Sequence, residues 1–369
     1  MMNKLLQFLK NDIVLALSCL LALVSVCVVP PNQAYLGYID FRTLALLFSL
    51  MAIMAGLNRL GIFKLLAAWL LGRVQTVRGL LLTFILLCYF SSMIITNDVA
   101  LLTFVPFTIV TLKLAGESKR LIYTVTLETA AANLGSMLTP IGNPQNLYLF
   151  SSYDMSVDDF FLTIDPYATL SLVLLLLAAL LAPNTPLTVK QEKLPRPKER
   201  WLLFLYGGLF ALALCCIFRL LPPYVLLPIV LISLLLVDRA TLKGVDYALL
   251  LTFSFLFIFI GNLGQLPDIA EFLRRTVTGH EVTMAVLASQ VFSNVPAAIL
   301  LSGFTDNASA LLVGVNLGGL GTLIASMASL ISLKFIQKED VNIGSYIAVF
   351  TAVNLALLAA NLGLHSLIN

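Results

Sequence analysis

The sequence predicts an all-α polytopic membrane protein made of two inverted-topology repeats, each with a re-entrant helical hairpin and a broken transmembrane helix. Three observations carry this. Hydrophobic residues are 60% of the 369-residue chain and charged residues 11%, far from the roughly 45–50% apolar and 25% charged mix of soluble domains. Apolar stretches recur along the whole length, and at about 20 residues per crossing the chain accommodates roughly ten spans. Finally, one signature occurs twice: residues 133–143 read N-L-G-S-M-L-T-P-I-G-N and residues 316–326 read N-L-G-G-L-G-T-L-I-A-S. Upstream of each copy a hydroxyl-amide step, Thr96-Asn97 and Ser293-Asn294, interrupts an apolar segment. Paired, Gly/Pro-interrupted apolar segments in two halves of a membrane chain point to a binding site near mid-membrane.

In chain order, Lys4 and Lys10 precede a first apolar run, 13–29, that ends at Pro30-Pro31 without a small-residue cleavage site. It reads as an uncleaved span with a cytoplasmic N-terminus, so that 1–34 forms a separate N-terminal helix. Repeat 1, residues 35–183, begins with a span at 41–58. The run 80–112 is too long for one crossing and carries its polar step in the middle, so it reads as a re-entrant hairpin turning at Thr96-Asn97-Asp98. The next run, 121–150, contains Pro140-Ile141-Gly142-Asn143-Pro144, the sharpest helix break in the chain. Proline removes a donor and bars the α conformation before it, which predicts free carbonyls near Thr139 and Asn143. A span at 161–182 closes the repeat.

The proline-containing, mixed-charge stretch 184–200 reads as a cytoplasmic linker, and 201–222 as a connecting helix. Repeat 2, 223–369, then runs through segments at 223–237, 245–263, 282–304, 307–336 and 343–367. Asp40 and Asp246 each open a span ending in a glycine-containing stretch, Ala55-Gly56-Leu57-Asn58 and Ile260-Gly261-Asn262-Leu263. Both stretches are expected to bend.

Basic residues orient these elements. Arg59, Lys64, Arg73, Arg78, Lys113, Lys119 and Arg120 fall on one side, as do Lys190, Lys193, Arg196 and Lys198, whereas 151–160 holds Asp154, Asp158 and Asp159 and no Lys or Arg. Under the positive-inside rule the two repeats run in opposite directions, with Arg274 and Arg275 as the exception. The net charge of +3 is dispersed in short loops, and nucleic acid is not an expected partner. Cys19, Cys27, Cys88, Cys215 and Cys216 all lie in apolar segments and read as packing residues. No cofactor is expected, and the chain has no Gly-Lys-Ser/Thr phosphate loop.

Hairpin tips and broken helices expose amides that attract anions and carbonyls that attract cations. Asn97, Asn133, Asn143, Asn146, Asn294 and Asn316 add uncharged donors and acceptors, and Thr96, Thr139, Ser293, Thr322 and Ser326 add hydroxyls. The substrate-binding candidates are Thr96, Asn97, Asn133, Asn143, Ser293, Asn294 and Asn316. The ion-coupling candidates are Asp98, Glu128, Thr139, Gly142, Asn143, Thr322, Ala325 and Ser326. A carboxylate within the membrane is costly and marks proton or cation coupling by default. Against that stand a helix-capping role for Asp98 and, for Glu128, a water-filled vestibule or pairing with a basic residue.

Thr96-Asn97-Asp98-Val99-Ala100, the motif at 133–146 and Ser293-Asn294-Val295-Pro296-Ala297 together resemble the ion transporter superfamily, which includes citrate-transporter-like permeases, divalent anion:sodium symporters, arsenite permeases and a group of sodium/proton antiporters. The resemblance covers about 35–367. It implies a secondary transporter, not an enzyme, that moves a small anion through the lipid bilayer of the plasma (inner) membrane, coupled to Na+ or H+. It also implies an elevator motion and a homodimer. Sodium ligands are implied at Asn97, Asp98, Gly142 and Asn294. The chain departs from the dicarboxylate symporters at Asp98 and Val295, where they carry a hydroxyl; an acid at the tip resembles the arsenite and antiporter branches.

Overall fold

The computed structural model describes all residues except 1–12, 34, 63–64, 66–68, 70–71, 187–198 and 369. Lys4, Lys10, Lys64, Lys190, Lys193, Arg196 and Lys198, used above for orientation, lie outside the described residues. Within them the chain is helical apart from turns and one isolated β-bridge, Thr76 to Pro186.

α1 (Ile13–Val28) is followed by α2 (Phe41–Arg59), α3 (Val77–Ile95), α4 (Asn97–Leu114), α5 (Leu121–Ser136), α6 (Pro144–Ser152) and α7 (Val157–Leu180). Two connecting helices, α8 (Arg200–Ile217) and α9 (Leu226–Val237), lead to α10 (Tyr247–Gly264) and α11 (Pro267–Val277). The second half continues with α12 (Glu281–Phe292), α13 (Asn294–Ser302), α14 (Ala308–Gly318), α15 (Met327–Ile336) and α16 (Ile343–Ile368). Among the described residues six helices, α2, α3, α4, α7, α10 and α16, are long and apolar enough to cross a membrane. The protein is therefore an all-α polytopic membrane protein.

Helix starts follow capping chemistry, in which a short polar side chain accepts from a free first-turn amide. Asp40 accepts from the Thr43 amide at 3.0 Å and Asp246 from the Leu249 amide at 2.9 Å, so corresponding residues begin α2 and α10. Thr76, Ser156 and Asn307 cap α3, α7 and α14 in the same way.

The run 80–112 divides into α3 and α4 at Thr96, and 282–304 divides into α12 and α13 at Ser293. The arms differ in length: 19 and 18 residues in the first pair, 12 and 9 in the second. At about 1.5 Å per residue the first pair has the reach of two crossings, and the second falls well short of that. The runs 121–150 and 307–336 are broken as expected, into α5 and α6 and into α14 and α15.

One expectation is corrected. Gly56 and Gly261 do not bend their helices; α2 and α10 run through them. A Cβ at Gly56 would sit 2.1 Å from the Tyr206 ring, and one at Gly261 would sit 2.2 Å from the Tyr38 ring. These glycines are slots for aromatic rings. Just beyond the C-terminal end of α8, Arg219 Nη2 donates to the Met155 carbonyl at 2.9 Å and lies 3.4 Å from Asp154, tying this end to the loop before α7.

The repeated glycine of the Asn-Leu-Gly signature also has a packing cause. A Cβ on Gly135 would meet the Tyr89 carbonyl oxygen at 2.1 Å, and one on Gly318 would meet Ser289 Oγ at 2.5 Å. In each half, the helix before the break is thus pressed onto the first arm of its hairpin, α5 on α3 and α14 on α12. Close backbone approach at small residues is the usual packing mode between membrane helices.

Candidate functional site

Both hairpin tips adopt the same uncommon backbone conformation. Thr96 has φ 72° and ψ 153°, and Ser293 has φ 72° and ψ 156°. This region is populated essentially by glycine and costs a side-chain-bearing residue on the order of 1–3 kcal/mol. Its occurrence at two equivalent non-glycine positions ties the strain to the tip itself.

Each tip rests on the break of its own half. The Asn97 amide donates to the Gly142 carbonyl at 3.2 Å, and Ser293 Oγ lies 3.5 Å from the equivalent Ala325 carbonyl. Gly142 is required by the turn of the break itself, because a Cβ there would stand 2.1 Å from the Ser136 carbonyl oxygen. Asn143 then caps α6 by accepting from the Asn146 amide at 2.9 Å.

The signature asparagines exchange contacts between halves. Asn133 accepts from Ser326 Oγ at 3.0 Å, and Asn316 accepts from Asn143 Nδ2 at 3.1 Å. Ser326 and Asn143 each lie ten residues after the signature asparagine of their own half, so the two bonds are equivalent contacts made in opposite directions. Asn133 also accepts from Asn97 Nδ2 at 3.0 Å, and Asn316 Nδ2 donates to Asn146 Oδ1 at 2.7 Å. A buried amide network therefore joins the first tip, both breaks and both signature asparagines. Further along α5, Asn133 Nδ2 lies 3.4 Å from Ser329 and Thr129 donates to Ser332 at 2.7 Å.

The breaks do not leave the carbonyls free as expected from Pro140 and Pro144. Asn146 Nδ2 donates to the carbonyls of Ser136, Met137 and Thr139 at 3.3, 3.0 and 3.0 Å. In the second half the same role falls to Gln290, from the first arm of the hairpin. Its Nε2 donates to the Gly318 and Leu320 carbonyls at 3.0 and 2.9 Å, and its Oε1 accepts from the Thr322 amide at 3.0 Å. Buried backbone groups must find partners, and here side-chain amides supply them. Without prolines the second break also keeps a turn of 3-10 helix, Leu323–Ala325.

A cavity of about 960 Å³ reaches the first tip. Thr96 and Asp98 line it, together with Arg59, Asp246 and Lys334, and the first residues after both breaks, Pro144 and Met327, form part of its wall. Arg59 is ion-paired with Asp238, which leaves Lys334, exposed on α15, as the cation available to the cavity among the described residues. A second cavity of about 260 Å³ lies against Asp40, Tyr148, Ser152 and Ser302 and includes neither tip. Beside it, the Tyr148 hydroxyl and Ser302 Oγ are 2.7 Å apart and Tyr153 donates to the Ser302 and Thr305 carbonyls at 3.1 and 2.8 Å. The caps Asp40 and Asp246 thus face different cavities, and only the one beside Asp246 extends to a tip.

The candidates divide accordingly. Thr96 and Asp98 face the cavity; Asn97, Asn133, Asn143, Asn316 and Ser326 form the network beneath it; Gly142 and Ala325 contribute carbonyls under the tips. Ser293 and Asn294 are buried and line neither cavity. Three candidates lie elsewhere. Glu128 is in the core against Thr108. Thr139 donates to the Met93 carbonyl and pins the break to α3. The Thr322 side chain is exposed. Sequence reasoning passed over Gln290, Ser329 and Ser332. The signal available was a lone amide three residues before a tip and serines at helical spacing on one face of α15.

A model of the citrate transporter family matches residues 1–330. The chain is 33% identical over 315 residues to an uncharacterized transporter of Methanocaldococcus jannaschii, covering 84% of this chain and 85% of that protein. It is 34% identical over 313 residues to the inner membrane protein YbiR of Escherichia coli, covering 82% of each. A silicon efflux transporter of Oryza sativa is 34% identical over 140 residues, covering 38% of this chain and 28% of that protein.

Proposed function

The chain belongs to the citrate transporter family, a family of membrane transporters and not of enzymes, and on that premise we propose that it is a secondary active transporter moving a small anion, a carboxylate or an inorganic oxyanion, coupled to Na+ or H+. The observation that carries this reading is the cavity that reaches a strained tip, lined by Thr96 and Asp98 together with Lys334. Lys334 supplies attraction for an anion. Asp98 opposes it until a cation or proton neutralises the carboxylate, which makes substrate and coupling ion enter together.

Reciprocal contacts between Asn133 and Ser326 and between Asn316 and Asn143 support a pair of repeats related by inversion. An elevator motion would carry the two hairpins and broken helices as one body, since the amide network binds them together. Its placement in the plasma membrane with a cytoplasmic N-terminus, and assembly as a homodimer, belong to the same proposal. The side bearing Arg59 and Lys334 would then be cytoplasmic, and the fold described here inward-open.

The test is uptake into liposomes containing the purified protein, with citrate, succinate, sulfate, phosphate and arsenite offered under imposed Na+ or H+ gradients. Uphill accumulation of one of them is expected. Dissipation of an ion gradient with no anion present would instead establish a cation antiporter. That second reading is favoured by one observation, the presence of two carboxylates, Asp98 and Asp246, in the same cavity. The partial likeness to a silicon efflux transporter adds silicic acid to the panel.

A further inference from the structure

The carboxyl group of Glu128 takes no part in the cavity. It lies midway along α5 with no solvent exposure. Its Oε1 accepts from the Thr108 hydroxyl of α4, and its Oε2 has no hydrogen-bond partner among the described residues. The elements packed on α5 bring it no cation. Lys113 of α4 pairs with Glu339, Arg120 with Glu117, and Arg78 of α3 bonds the Ala182 carbonyl. Lys334 of α15 lines the cavity, Lys119 is exposed, and His365 of α16 bonds Tyr167. Asp165 of α7 is exposed, and α14 carries no titratable side chain. The groups within electrostatic reach of Glu128 are Cys88 of α3 and Tyr346 of α16, both neutral at physiological pH in their ordinary state.

The second half shows what this position needs for packing alone. Glu128 lies five residues before Asn133, and five residues before Asn316 lies Leu311, fully buried. The neighbouring hydroxyl pair, Thr129 and Ser332, corresponds to Leu312 and Leu149, both fully buried. The fold therefore fills with leucine in one half what it fills with an acid and hydroxyls in the other. A buried carboxyl without a cation stays neutral by holding a proton.

We propose that Glu128 is a proton-binding site, separate from the cavity, that carries one proton per transport cycle; the transport part rests on the coupled transport proposed above. Loading forms one O–H bond on the carboxylate with a proton from hydronium, leaving water, and unloading returns that proton to water. α15 stands between Glu128 and the cavity, presenting Leu330, Ile331 and Lys334 to the cavity and Ser329 and Ser332 to α5. Displacement of α15 along this hydroxyl seam admits water to the carboxyl.

Infrared spectroscopy of the protein in lipid at neutral pH tests the proton directly. A protonated-carboxyl stretch is expected that is lost in Glu128→Gln and kept in Asp98→Asn; a spectrum unchanged by Glu128→Gln overturns the proposal. Glu128→Leu, which copies the second half, is expected to keep an apparent melting temperature at or above that of the parent protein, and unfolding of that variant would make Glu128 structural. For an anion from the uptake panel that the parent accumulates, a one-unit pH gradient is expected to give about tenfold accumulation per coupled proton. Glu128→Gln is expected to equilibrate the same anion without accumulating it, and continued accumulation would refute the coupling role. If the parent accumulates no anion, the anion reading falls, and the infrared result still decides whether Glu128 holds a proton.

Discussion

Thr96 and Ser293 hold backbone angles that glycine adopts without penalty, so their side chains are kept at a cost in stability. Thr96→Gly is expected to raise the apparent melting temperature, by relief of on the order of 1–3 kcal/mol of strain, and to reduce uptake through loss of the hydroxyl at the cavity end. A melting temperature that falls would show that the tip is not strained in the working protein. Asp98 sits one residue further on, its amide held by Asn97 Oδ1 at 3.0 Å and its side chain in the cavity wall. Asp98→Asn is expected to remove the dependence of ligand-induced thermal shifts on Na+ and to weaken their dependence on pH across the anion panel, leaving the part that Glu128 carries. If every shift persists unchanged, the carboxylate plays no part in coupling. The residue types were legible in the sequence, because hydroxyls, amides and an acid interrupting apolar runs have few other reasons to be there. The strain was not, since Thr and Ser give no local sign of a positive φ.

At the scale of elements, the close approach of α5 to α3 and of α14 to α12 sets the position of each break beside its tip. Gly135→Ala places a methyl group 2.1 Å from the Tyr89 carbonyl oxygen, and the helices must separate. A loss of at least about 1–3 kcal/mol is expected, read as a lowered melting temperature, whereas Gly207→Ala and Gly208→Ala, with nothing within 4 Å, serve as neutral controls. Gln290 holds the second break through three backbone groups. Gln290→Leu leaves them without partners and is expected to cost about 1–3 kcal/mol for each group that stays buried, while Gln290→Glu can restore only the acceptor. Equal melting of these variants and the parent would mean the break is held by other contacts. Sequence periodicity located the breaks within a few residues, because proline and glycine act locally. It missed Gln290 and misread Gly56 and Gly261, because their partners come from other elements.

For the whole molecule, the consequence is a large cavity that reaches the first tip and a second tip that is buried and lines neither cavity. In a background without the five native cysteines, Leu102→Cys and Leu330→Cys, both lining the large cavity, are expected to react with a membrane-impermeant thiol reagent from the side carrying Arg59 and Lys334. Asn294→Cys, buried at the second tip, is expected to stay unreactive from both sides until transport cycles. Labelling of all three from one side would contradict a buried second tip. Composition and the duplicated signature were enough to determine the all-α membrane class and where the helices are interrupted, near Thr96, Ser293 and the two breaks, since each depends on the residues present or on their immediate neighbours. Tertiary structure alone decided that each signature asparagine serves the other half's break, that Glu128 is shut away from Asp98, and that the large cavity reaches the first tip and not the second. Those outcomes depend on which surfaces meet when two similar but unequal halves pack together, and no spacing along one chain contains that.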